Sequence, residues 1–291
     1  MGILQSIQQA FRQGNALTKI IYVNAGVFIG INVPVLIAYL LSREISLLQW
    51  VALPASWPEF LRHPWTLFTY MFVHTGVWHL LFNMLFLYWF GLLFLQWMNP
   101  RQLVNLYLLG GLTGGLLYLL FYHLFPVFQS SREVTRLIGA SASAMAIMIA
   151  TAMRAPDFTV RLFLVWEVKI KHIALLLILL DIFTIPQNNA GGHISHLGGA
   201  MAGFFFIILL KKGIDITGWM KAAEDGIINL FRPHRKMKVV YKRPLSDFEY
   251  NQQKTEESKR LDRILEKIKD KGYDSLSEEE KEFLFKQSRK M

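Results

Sequence analysis

The sequence has no cysteine among its 291 residues, which excludes disulfides, thiolate nucleophiles and cysteine zinc sites. Carboxylates are nearly as scarce over most of its length. Residues 1–212 hold only Glu44, Glu59, Glu133, Asp157, Glu167 and Asp181, against 21 Asp and Glu in the whole chain. A soluble domain of that size carries far more charge. No HExxH spacing occurs, so a metal set drawn from His63, His74, His79 and His193 has no motif behind it. Neither a metal nor a cofactor is expected.

What remains is apolar. Fifty-three per cent of the residues are hydrophobic, gathered into runs at about 20–41, 77–97, 103–125, 137–153, 172–187 and 193–212. Runs of this length read as membrane spans. The fifth is the weakest, short and interrupted by Asp181. No small-x-small cleavage site follows the first run, so it reads as a retained helix. Residues 213–291 hold 18 of the 31 Lys and Arg. The expected architecture is therefore all-α, a six-transmembrane-helix polytopic membrane protein with a small cytoplasmic helical tail. Its parts are an amphipathic N-terminal segment (1–19), a membrane domain (20–212), a basic amphipathic segment (213–244) and a helical hairpin (245–291). Six spans with both termini inside put most flanking Lys and Arg on one face. In a bacterium, that is the inner membrane. The net charge of +10 clusters beside span ends and over 232–243, which points to anionic lipid rather than nucleic acid.

Between the first two runs, residues 42–76 carry Trp50, Trp57, Trp65 and three prolines, as a folded loop at headgroup level would. Gly110-Gly111 and Gly114-Gly115 form overlapping GxxxG pairs for close helix packing. In the tail, Leu261, Ile264, Leu265 and Ile268 make one stripe that stops at Gly272. Ser277 and Glu280 then form a capping box.

The chemistry sits where the spans should be oily. With both termini inside, His79 and Asn83, Ser141, and His196 fall near the outer starts of spans two, four and six. Polar groups inside a bilayer are functional candidates. Ser141 can act as a nucleophile and His196 as the base that takes its proton, as hydrogen-bond neighbours. His79 and Asn83 are four apart on one helix face and can donate to an oxyanion, with the Ser141 backbone N–H as a further donor. Spans two, four and six carry no carboxylate near this depth, so a Ser-His dyad is expected. Such contact needs helices almost backbone to backbone, which Gly139, Gly199, Gly203 and the neighbouring alanines permit. His193 is a rival base with the wrong spacing to these glycines. Ser143 reads as packing, and His63 and His74 as surface or structural.

These residues resemble the rhomboid family of intramembrane serine proteases over about 60–212. Gly139-Ala140-Ser141-Ala142 is similar to the family's GxSG. His79 through Asn83 matches HxxxN, and His196, Gly199 and Gly203 match HxxGxxxG. The resemblance implies cleavage of transmembrane protein substrates near the outer face, with Ser141 and His196 catalytic and His79 and Asn83 stabilising the oxyanion. Ala142, Thr66 and Met145 depart from the family's usual glycine, arginine and aromatic. Ala142 motivates the alternative of an inactive rhomboid-like protein that binds transmembrane helices. A small transporter is a third reading, but no internal repeat supports it.

Overall fold

The first long helix, α1 (Ala16–Leu40), starts where the Asn15 side chain accepts the Thr18 N–H at 2.9 Å, four residues before the apolar run. The structure, a computed structural model, describes residues 14–162, 166–187, 189–218, 220 and 246–288. Of the amphipathic segments expected at 1–19 and 213–244, residues 1–13, 219 and 221–244 lie outside the described residues, and residues 16–19 belong to α1. After α1 come α2 (Val77–Phe94), α3 (Pro100–Leu124), α4 (Ser141–Arg154), α5 (Ile170–Thr184) and α6 (Ala190–Lys211). An Asn99/Gln102 capping box with Pro100 in the first turn opens α3, satisfying donors that a helix start leaves free. Asn189, in the left-handed region, caps α6 by accepting the Gly192 N–H.

Four of these helices, α1, α2, α3 and α6, are long and apolar enough to cross a membrane by length and composition. The expectation of six such spans is therefore met for four. Helices α4 and α5, with 14 and 15 residues, run only about 21–23 Å at 1.5 Å per residue, against a hydrocarbon core of about 30 Å.

The described residues are mostly helical, as expected for an all-α chain, and carry two short two-stranded ladders besides. Strand β1 (Leu53–Pro54) pairs antiparallel with β2 (Arg136–Leu137). This ladder holds residues that were expected to open the fourth helix at 137, and it delays α4 to Ser141. A second ladder, β3 (Thr159–Leu162) with β4 (Trp166–Lys169), joins α4 to α5. Asp157 bridges Lys169 and Lys171 beside it. The 42–76 loop is folded into short helical turns. Trp65 Nε1 donates to the Trp50 carbonyl at 2.8 Å and Thr69 Oγ1 to that of Val51 at 2.7 Å. Glu59 reaches across to Arg136.

Helix α4 is the axle. All eleven residues from Ala142 to Ala152 are buried. Missing side chains on its neighbours make that possible. A Cβ on Gly199 or Gly203 of α6 would collide with the Ala142 or Ala146 carbonyl oxygen. One on Gly114 of α3 would lie 2.7 Å from the Ala142 methyl. Backbone contact at this distance maximises dispersion in an environment that offers no hydrophobic drive between helices.

The described residues beyond 231 form a separate compact unit. Helix α7 (Asp247–Lys271) is opened by a Ser246/Glu249 capping box and ends at Gly272, which takes φ +79°. Helix α8 (Glu278–Ser288) follows, with Ser277 and Glu280 exchanging hydrogen bonds as the spacing implies.

Candidate active site

The loop before α4 fixes where Ser141 sits. Gly139 adopts φ +114°, a conformation side chains disfavour, and donates its N–H to the Tyr70 carbonyl at 3.0 Å. A Cβ there would stand 2.9 Å from His79 Nε2. Gly139 therefore does not pack helix on helix, as its grouping with Gly199 and Gly203 suggested. It turns the chain and lets the His79 ring close on the loop. Ala140 then donates to His74 Nε2 at 3.4 Å, and Ser141 becomes the first residue of α4. A residue there has a backbone N–H with no acceptor inside the helix and sits at the positive end of the helix dipole.

His74 belongs to this support, in the loop before α2. It is fully buried, its carbonyl accepts from Asn32 at 3.0 Å, and its ring stands edge-on to that of His79 at 4.9 Å. Burial, and then the His79 ring, push the His74 pKa down to about 4, which leaves the ring neutral at pH 7 and able to accept from Ala140. The unfolded chain binds that proton near pH 6.5, so the stabilisation is complete above that pH and is lost as pH falls towards 4. Acidification from pH 7 to 5 is therefore expected to lower the melting temperature of the wild type more than that of His74→Gln. Equal slopes would remove His74 as the cause.

Ser141, Asn83 and His196 line one cavity of about 260 Å³, together with Asp181, Met145, Phe82, Phe86, Leu177 and Leu180. No hydrogen bond joins Ser141 to His196, in contrast to the neighbour relation expected; unliganded sites often close such bonds only when substrate arrives. Asn83 Nδ2 donates to the His79 carbonyl at 2.8 Å, which ties the two residues along one face of α2. The His79 ring reaches the site through Gly139 rather than through the cavity wall.

The helices of spans two, four and six carry no carboxylate, as expected, but α5 brings one to the site. Asp181, near the C-terminal end of α5 and buried, places Oδ1 2.8 Å from His196 Nδ1 and 2.8 Å from His193 Nδ1. A dyad follows from those three helices alone, and the carboxylate comes from a fourth, α5. Its last turn, not its first, reaches the cavity that Ser141 lines. A hydrogen-bonded Nδ1 leaves Nε2 of His196 as the free nitrogen. His193 Nδ1 also meets Thr184 Oγ1 at 3.2 Å, and His193 does not line the cavity. The ligand atoms of Asp181, His193 and His196 lie within 4.8 Å of one another, close enough to hold a metal ion. Two imidazole N–H groups donating to one carboxylate account for the same clustering.

The family departures also find their places. The Ala142 methyl is received by Gly114 of α3, while the Ala142 carbonyl faces Gly199, so the extra carbon does not stand between α4 and α6. Met145 is buried against the cavity, filling space as a flexible thioether can. Thr66 is buried and donates to the His63 carbonyl at 2.6 Å. Ser143 is fully buried, its hydroxyl 4.0 Å from the Met71 sulfur.

A family model described as the rhomboid domain matches residues 61–213, and one described only as a family of unknown function matches 246–290. "RHOMBOID-like protein 12, mitochondrial" of Arabidopsis thaliana is 31% identical over 158 residues, 51% of this chain and 47% of that protein. "Rhomboid-like protein 17, chloroplastic" of the same plant is 27% identical over 163 residues, 51% of this chain and 50% of its own length. "Inactive RHOMBOID-like protein 8", also of Arabidopsis thaliana, is 33% identical over 82 residues, 28% of this chain and 23% of that protein. This chain spans about half the length of the first two.

Proposed function

This chain belongs to the rhomboid family and is an integral membrane protein, and on that premise we propose that it is an intramembrane serine endopeptidase acting on transmembrane protein substrates. The observation that carries the reading is the single cavity lined by both Ser141 from α4 and His196 from α6. Ser141 Oγ attacks the scissile carbonyl carbon as its proton passes to His196 Nε2. The Ser141 N–H, Asn83 and His79 are the donors for the resulting oxyanion. The C–N bond breaks as His196 protonates the leaving amine. Water then attacks the acyl ester, gives a proton to His196, and the proton returns to Ser141. All six helices cross the bilayer in this reading, the shorter α4 and α5 sheltered among the others, and anionic lipid meets the basic flanks. An even number of crossings puts the two ends of the membrane domain on one side.

The alternative is an inactive family member that holds transmembrane helices without cutting them. It is favoured by the partial match to a relative named inactive and by Ala142. The place Gly114 makes for that methyl supports the active reading. A fluorophosphonate probe separates the two: the active protein labels at Ser141, and capture of a transmembrane substrate with neither labelling nor products supports the binder. Because every step uses protein groups and water, EDTA is expected to leave the cleavage rate unchanged within about twofold. A loss restored by a divalent metal would assign the Asp181 cluster to metal instead.

A further inference from the structure

We propose that Asp181 is the positioning residue for His196, so that the site works as Ser141-His196-Asp181 rather than as a two-residue dyad. The proposal rests on the protease reading. Three observations carry it. Asp181 Oδ1 lies 2.8 Å from His196 Nδ1. Asp181 itself is buried near the C-terminal end of α5, directly after the apolar run from Ile173 to Leu180, where an ionised carboxylate is costly without strong donors. Asp181 also lines the same cavity as Ser141 and His196.

A carboxylate accepts and does not donate, so it selects the imidazole tautomer with hydrogen on Nδ1. That tautomer presents the Nε2 lone pair as the only nitrogen able to take the Ser141 proton. The imidazolium formed in the attack is then stabilised by the adjacent negative charge. His193 supplies a second Nδ1 donor to the same oxygen at 2.8 Å. That bond fixes the carboxylate from a second position on α6 and helps its burial. Because Asp181 comes from α5 and both histidines from α6, the contact also locks the rotation of α6 about its axis. Rotation of that helix by even a fraction of a turn would swing His196 out of the cavity.

The test uses the full chain in lipid nanodiscs, with 15N-labelled histidine. In the wild type, the His196 resonance is expected to show hydrogen on Nδ1, with a proton shifted far downfield by the carboxylate. Asp181→Asn keeps the size and removes the charge. The amide can also donate to Nδ1, which moves the proton of His196 to Nε2. For this variant kcat is expected to fall at least about 100-fold, towards the ~10,000-fold known for the same change in Ser-His-Asp hydrolases, with KM within about threefold. A merely structural role would instead lower the melting temperature and leave the tautomer unchanged. Wild-type His196 protonated on Nε2, or a folded Asp181→Asn protein with wild-type kcat, overturns the proposal. The protease reading fails separately, by absence of both cleavage and probe labelling in the wild type. The tautomer measurement decides the Asp181 contact in either case, including where the variant does not fold.

Discussion

Ser141→Ala is expected to reduce cleavage of a transmembrane substrate by at least about 10,000-fold and to abolish labelling by a fluorophosphonate probe, while leaving thermal stability unchanged within about 1 kcal/mol. The size of the loss follows from the chemistry assigned to the hydroxyl. Removing the nucleophile from a serine hydrolase deletes the covalent route, and losses in comparable enzymes reach about a million-fold. The small effect on stability follows from the environment. Ser141 is the first residue of α4 and is only partly buried at the cavity wall, and its hydroxyl makes no hydrogen bond to His196. Truncation to alanine therefore leaves no orphaned buried partner. Alanine is also a better helix former than serine. Cleavage that persists at the wild-type rate in a folded Ser141→Ala protein would refute the nucleophile, and with it the protease reading.

Gly199→Val is expected to damage both fold and activity. A Cβ at 199 would occupy the space of the Ala142 carbonyl oxygen. That atom is backbone, in the second residue of a helix buried on all sides, so nothing nearby can yield by changing a rotamer. Helices α4 and α6 must separate. Overpacking of this kind costs about 1–3 kcal/mol and sometimes more. Ser141 is one residue from Ala142, and His196 is one turn from Gly199, so the separation falls directly between nucleophile and base. A misplacement of about 1 Å is worth about 100-fold in rate. A useful control is Gly30→Ala in α1, where a Cβ meets nothing within 4 Å. That change is expected to be neutral, or stabilising by up to about 1 kcal/mol through helix propensity. Thermal unfolding and cleavage assays on both variants check the pair. Wild-type melting and rate for Gly199→Val would mean that the two helices do not touch through their backbones.

How the site could be read from the chain varies from residue to residue. Ser141, His196, His79 and Asn83 stood out because a polar side chain in an apolar run is conspicuous wherever it falls. The small-residue stripes stood out for a similar reason, since Gly114, Gly199 and Gly203 recur at spacings that only close packing rewards. The family these motifs resemble is the one the rhomboid model matches over 61–213. Gly139 was legible as small but not as left-handed, because φ is set by the ladder and hydrogen bonds on either side of it. The β1·β2 pairing was not legible at all. Two residues per strand give no alternation, and their partners are separated by more than eighty positions in sequence.

Asp181 is the instructive case. It was visible as a flaw in a weak span, yet its role depends on a direction rather than on a composition. The last turn of α5, not its first, reaches the cavity that Ser141 lines. Local composition by itself determined that this chain makes apolar helices, that a serine and histidines interrupt them, and that glycines allow close approach, because each is a property of a residue and its near neighbours along the chain. Tertiary structure alone decided which carboxylate holds which imidazole, that α4 begins at the serine, and that the methyl of Ala142 faces α3. Those outcomes depend on the rotation and stagger of whole helices, and only the simultaneous packing of all of them fixes such rigid-body variables.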